Sequence, residues 1–165
     1  MHPDLLPQWE RAEALKTDIL AKAAAVPESL RGVAPKPGAW SPLEVVSHLG
    51  VAERFVIGYA GGSPDAMPPS ANPVVIGLLC GALSAGVALP APEIMMPEVN
   101  GKSLETLAQE WDAVRNDFYA EIATASPDTP YGVHPMFGTL SVQQTMEMLM
   151  AHTAYHYKRF PKTTR

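Results

Sequence analysis

The sequence predicts an all-α protein, an antiparallel four-helix bundle with one long crossover between its second and third helices. Apolar residues recur at spacings of three and four in four segments, and two of these segments begin with a capping-box sequence. No segment alternates apolar and polar residues in the way that strands do. A chain of 165 residues buries a core large enough to fold without disulfides or structural metal. We therefore expect one domain over residues 1–165.

The first two predicted helices have clear limits. The first carries an amphipathic apolar face and ends at Pro27. The second begins at Ser41, where serine can cap, Pro42 fits the first helical position and Glu44 can close a capping box. We expect it to run to about Tyr59, before a group of glycine, serine and proline residues.

The last two predicted helices are limited in the same way. The third follows Ser103 and keeps an apolar stripe as far as Ile122. The fourth begins at Ser141, where Gln144 completes a second capping box, and it ends at Pro161. Both helices therefore have an apolar face for a shared core.

The proline-rich segment 64–100 is too long for a simple turn and is predicted to be a crossover that carries one short helix. Its run 74–89 is almost free of polar side chains. The run is shorter than the ~20 apolar residues that span a bilayer, and glycines interrupt it. This favours a buried or interface-forming helix over a membrane-spanning one.

The composition indicates which classes of partner and which cellular compartment to expect. The chain has 17 acidic and 12 basic residues, a net charge of −5, and its basic residues are scattered. Nucleic-acid binding needs clustered positive charge, so that class is excluded. The lone Cys80 cannot form an internal disulfide, and the first residues lack the layout of a secretory signal. We expect a cytoplasmic protein that binds neither nucleic acid nor membrane.

Three of the five histidines, His48, His152 and His156, occupy core-facing helical positions, whereas His2 and His134 are expected to be exposed. His48 lies ~10 Å from the start of its helix, and His152 and His156 lie ~12 and ~6 Å from the end of theirs. Antiparallel helices would therefore bring all three imidazoles to one level. Such a set suits Zn²⁺, Ni²⁺, Fe²⁺ or Co²⁺, with water completing the shell of a catalytic site. The alternative is three ordinary hydrogen-bonded core histidines.

Glu44 and Tyr155 are the candidates for catalytic roles beside the histidines. Glu44 lies one turn before His48 and can orient its imidazole, or it can serve only the capping box. The Tyr155 hydroxyl can donate to a substrate, or the ring can simply pack. Arg159 follows His156 by three residues and either binds a carboxylate or points to solvent, where it favours the helix dipole.

Residues 40–49 and 138–156 resemble the two signature segments of the DinB/YfiT-like superfamily. In that family a tryptophan, a serine or threonine cap, a glutamate and a histidine open the second helix, and a histidine pair closes the fourth. The resemblance implies an up-down-down-up bundle with a divalent metal ion held by His48, His152 and His156. Members often dimerise, and the characterised ones include thiol-dependent S-transferases and thiol-dependent isomerases.

These observations favour a metal-dependent enzyme, S-transferase-like or hydrolase-like, that activates a low-molecular-weight thiol or water against a small molecule. The alternative is a non-catalytic module that binds a small molecule or dimerises in a stress response. The run 74–89 would wall the pocket or contact the second subunit of a homodimer. Arg159 stands where many relatives have glutamine, which leaves its role open.

Overall fold

The computed structural model describes residues 1–58, 69–87, 90–134 and 137–161. It confirms a mostly helical chain, with five helices and a small antiparallel sheet in the described ranges. The helix predicted as the fourth is therefore α5. The elements in order are α1 (Leu6–Ala25), α2 (Pro42–Gly58), α3 (Pro73–Ser84), α4 (Leu104–Ile122), β1 (Pro130–His134), β2 (Gly138–Ser141) and α5 (Val142–Lys158).

Both predicted capping boxes form. The Ser41 N–H donates to the Glu44 carboxylate over 2.7 Å, and the Glu44 N–H donates to the Ser41 hydroxyl over 3.2 Å. Ser141 and Gln144 make the same reciprocal pair at the start of α5. Local sequence thus sets the first turn of both helices that carry the core histidines. The predicted end of α2 at Tyr59 lies outside the described residues.

The hairpin β1–β2 is not predicted by the sequence, and the expectation of no strands is wrong here. The strands pair antiparallel, with Val133 opposite Thr139 and His134 opposite Gly138. They contain only five and four residues, which is too short for an alternation of apolar and polar residues to be recognised in the sequence. His134, expected to be exposed in a loop, instead ends β1 and is partly buried.

The start of the crossover is fastened to this hairpin by main-chain bonds. The Thr139 N–H donates to the Pro69 carbonyl over 3.0 Å, and the Ala71 N–H donates to the Thr139 carbonyl over 2.7 Å. The chain approaches Gly138 so closely that a Cβ there would lie 2.2 Å from the Pro69 oxygen. Gly138 also has a φ of +88°, a conformation that glycine adopts without strain. Glycine is therefore required at this junction.

The crossover carries the predicted short helix, α3. Asn72 caps it, since its side chain accepts a hydrogen bond from the Val74 N–H over 2.9 Å. Ile76 is buried in a cluster with residues of β2 and α5, whereas Val74 and Leu78 are 67% and 70% exposed. In the described part of the chain, no helix is long and apolar enough to cross a membrane. Residues 74–84 of the apolar run thus form a helix with one buried and one exposed face.

A buried ion network ties α1, α2 and α4 together, and the sequence patterns do not predict it. The Arg115 guanidinium on α4 is 1% exposed and donates through Nε and Nη2 to the Glu53 carboxylate on α2. Its Nη1 donates to Glu13 on α1 over 2.9 Å. Lys16 extends the network to Glu13 and Asp112, both at 2.8 Å. Burial by itself would lower the pKa of Arg115. The interactions with the Glu53 and Glu13 carboxylates outweigh this effect, so the pKa of Arg115 is raised.

We predict that Arg115→Met destabilises the protein by about 3–5 kcal/mol, because Glu53 would be left as a buried, unpaired carboxylate. Urea denaturation at neutral pH measures the loss. The matched control is Arg54→Met, which breaks the exposed Arg54–Glu98 pair and should cost less than about 1 kcal/mol.

The double variant Arg115→Met/Glu53→Leu separates the two causes of that loss. It should recover much of the stability, since the charge left unpaired in the single variant is then gone. Equal losses in Arg115→Met and Arg54→Met would contradict a structural role for the network.

Candidate metal centre

Three imidazoles from α2 and α5 converge at one point. The Nε2 atom of His152 lies 3.1 Å from Nε2 of His48 and 3.1 Å from Nε2 of His156. The three candidate ligand atoms all lie within 4.8 Å of one another. The predicted convergence of these side chains is confirmed. Their binding of a metal ion stays a prediction.

The donor set fits a small divalent cation. Zn²⁺–imidazole bonds of about 2.05 Å in a tetrahedral shell place neighbouring nitrogens about 3.3 Å apart, close to the separations from His152. Within the described ranges, this is the only group of three or more histidine, cysteine or acidic side chains close enough to share an ion. The cluster could therefore hold a metal, although three imidazoles do not identify it.

The His48 ring is oriented by the main chain of the crossover. Its Nδ1 lies 2.6 Å from the Met95 carbonyl oxygen, and the side chain is 2% exposed. A carbonyl can only accept, so Nδ1 carries the hydrogen of this bond. In the neutral ring, Nε2 then has a free lone pair, and this lone pair faces the other two histidines. Sequence patterns cannot reveal this contact because a main-chain oxygen belongs to every residue.

The three histidines are neutral at physiological pH. Burial lowers the pKa of His48, despite its bond to the Met95 carbonyl. Burial, followed by the two neighbouring imidazoles, lowers the pKa of His152 well below its ordinary value. Burial and then His48 lower the pKa of His156 to about 3. Neutral imidazoles are the form that binds a metal ion, so no proton has to leave first.

Trp40 forms an aromatic wall beside two of the histidines. Its ring centroid lies 4.4 Å from that of His48, and it stacks on His156 at 5.8 Å with an interplanar angle of 12°. In the sequence, Trp40 stands out only through the family resemblance, which assigns it no role. Its position directly before the Ser41 cap is the signal that places it at this end of α2. The indole limits how the two imidazoles can turn.

The other two predicted site residues, Glu44 and Tyr155, make different contacts. The Glu44 carboxylate accepts the Ser41 N–H, as the capping role requires, and the Nδ1 contact of His48 goes to the Met95 carbonyl. The Tyr155 ring meets His156 edge-on, with centroids 4.9 Å apart. Tyr155 thus lies beside the cluster, and catalytic roles for Glu44 and Tyr155 stay predictions.

Arg159 makes a contact that neither predicted role describes. Its side chain is exposed, yet the guanidinium donates to the Gly86 carbonyl and lies 5.1 Å above the Tyr155 ring. Lys158 donates to the Ser84 carbonyl over 2.8 Å. Both carbonyls belong to the C-terminal end of α3 and its following turn, where cations are favourable. The end of α5 is therefore attached to the crossover helix.

The sequence model of the DinB superfamily matches residues 9–159, a span that contains all three clustered histidines and both capping boxes. No curated protein and no solved structure matches the chain. The family match covers nearly the whole sequence, from α1 to the end of α5. The chain belongs to the DinB superfamily.

Proposed function

We propose that this protein binds a divalent metal ion through His48, His152 and His156 and is a metal-dependent enzyme acting on a small molecule. The observation that carries the proposal is the convergence of three neutral imidazole nitrogens, joined by no fourth protein ligand among the described residues. Three protein ligands leave a coordination position for water or substrate, as catalytic sites do. When bound, the ion would supply Lewis acidity that lowers the pKa of a water or thiol ligand.

Other features of the site concern the burial of the cluster, the support of His48 and the binding of a substrate. His48 and His156 are buried, and His152 has intermediate burial. Trp40 covers the cluster on its side and keeps water away from His48 and His156. Glu44 holds the first turn of α2, and His48 follows one turn later. Tyr155 contacts both the His156 ring and the Arg159 guanidinium. We propose that its hydroxyl donates a hydrogen bond to a substrate.

We further infer a single domain with an up-down-down-up bundle built from α1, α2, α4 and α5. Its support is the order of elements, since the long crossover containing α3 separates α2 from α4. It is also supported by packing, because α2 contacts α1, α4 and α5. Such a bundle brings the later part of the crossover to the end that holds the cluster, where Met95 and Gly86 make their contacts.

We predict that protein purified without chelator or affinity tag contains about one divalent ion per chain by elemental analysis. His152→Ala should lose it, because the His152 nitrogen is the one that contacts both others. The control is His134→Ala, which removes a partly buried histidine outside the cluster.

The same variants give a second readout. Adding Zn²⁺, Ni²⁺, Fe²⁺ or Co²⁺ to chelator-treated protein should raise Tm for the wild type and His134→Ala but not for His152→Ala. An ion-free wild-type protein that no added ion stabilises would overturn the proposed metal site.

The S-transferase-like and hydrolase-like forms of the proposal differ in their nucleophile. In the first, the thiol sulfur bonds to an electrophilic carbon, the leaving group departs with its electron pair and the thiol proton is released. In the second, water takes the place of the thiol. We predict that the metal-loaded protein consumes a small aryl halide only with added low-molecular-weight thiol, and that His152→Ala abolishes this activity.

An activated ester without thiol tests the second form. Turnover of the ester alone would favour a hydrolase-like enzyme. Absence of both activities in metal-loaded protein would favour the non-catalytic alternative, a small-molecule-binding or dimerising module. That alternative is supported by the exposed apolar face of α3.

We propose that a second copy of the chain covers this face in a homodimer. Val74 and Leu78 are 67% and 70% exposed, and α3 bears no charged side chain. Leu78→Asp is predicted to shift the protein from dimer to monomer in analytical ultracentrifugation, because it places a charge in the contact. Val33→Asp, at an exposed apolar residue before α2, is the control and should leave the dimer intact. A monomeric wild-type protein at tens of micromolar would contradict the homodimer.

A further inference from the structure

The end of the crossover, residues 93–98, is attached to α2 at two adjacent buried residues. The Met95 carbonyl contacts His48 Nδ1 at 2.6 Å, and the Glu98 N–H donates to the Ser47 hydroxyl over 2.8 Å. Ser47 is 5% exposed. The Ser47 hydroxyl therefore holds the crossover three residues beyond the carbonyl that orients a candidate metal ligand.

The chain that leads to the Met95 carbonyl has little freedom. The Met95 N–H donates to the Pro92 carbonyl and the Met96 N–H donates to the Glu93 carbonyl, which forms a 3₁₀ turn over Glu93–Met95. The Met95 side chain is buried in a cluster with residues of α2 and α5. Because only Met96 and Pro97 separate Met95 from Glu98, the bond from Glu98 to Ser47 limits how far the Met95 carbonyl can move along α2.

The position of that carbonyl decides which nitrogen of His48 carries the hydrogen. While Met95 accepts from Nδ1, the His48 Nε2 lone pair faces His152 at 3.1 Å. If the carbonyl moves away, the neutral ring is free to carry its hydrogen on Nε2 instead. A hydrogen there would occupy the space in which a cation binds. The partner of the non-ligating nitrogen commonly changes metal affinity by 10–100-fold.

We propose that Ser47 is a positioning residue of the metal centre: its hydroxyl anchors residues 93–98 so that the Met95 carbonyl holds His48 in the metal-binding tautomer. The inference rests on the proposed metal-binding function. It adds a residue that touches neither the ion nor a substrate and that acts through the main chain of the crossover.

The test compares Ser47→Ala with Ser47→Thr and with Ser103→Ala. Ser47→Thr keeps a hydroxyl at the anchor. Ser103→Ala is the matched control, because the Ser103 hydroxyl also accepts a main-chain N–H, that of Thr106 at the start of α4. Nitrogen-15 NMR of metal-free protein reports the His48 tautomer, and competition with a chromophoric chelator gives the Kd for Zn²⁺.

We expect metal-free wild type and Ser103→Ala to hold His48 with its hydrogen on Nδ1 and to share one Kd for Zn²⁺. Ser47→Ala should show mixed tautomers and bind Zn²⁺ about 10–100-fold more weakly, and Ser47→Thr should recover most of both properties.

A folded Ser47→Ala with the wild-type tautomer and a Kd within about twofold of wild type would overturn the inference. If Ser47→Ala does not fold, the wild-type spectrum decides, since a hydrogen on Nε2 of His48 contradicts the proposal. A wild-type protein with the expected tautomer and no Zn²⁺ binding would refute the proposed function while leaving the positioning contact in place.

Discussion

The buried guanidinium of Arg115 is the constraint on which the arrangement of the helices depends. It donates hydrogen bonds to carboxylates from two other helices. If α4 slid along α2, Arg115 and Glu53 would separate, and each would be left as a buried, unpaired charge. Glu53 lies five residues after His48 on α2, a rise of roughly 7.5 Å. The ion pair that holds α2 against α4 therefore also sets the height at which His48 meets α5.

The crossover is part of the candidate site as well as a connection between helices. One end of it touches His48 through the Met95 carbonyl, and the turn after α3 is bonded to Arg159 beyond the end of α5. The two histidine-bearing helices are thus bridged by the same segment. Within this segment, α3 buries Ile76 in the core and leaves Val74 and Leu78 exposed.

Much of this architecture is predictable because it depends on local chemistry. Capping at Ser41 and Ser141 involves side chains and amides within one turn, and the level of each core histidine follows from a constant rise per residue. The hairpin and the Arg115–Glu53 pair could not be predicted in this way. They join residues that are distant along the chain, so neither leaves a periodic signal, and the strands are too short to show alternation.

The contact between His48 and Met95 has a consequence for how the crossover can vary. Every amino acid supplies a main-chain carbonyl, so the bond to His48 makes no demand on which side chain stands at position 95. It does depend on the number of residues between the anchor at Glu98 and that carbonyl. Substitutions at the exposed positions 93, 94 and 96 can therefore accumulate with the contact intact, whereas a single insertion or deletion in residues 93–98 would turn the carbonyl away from the ring.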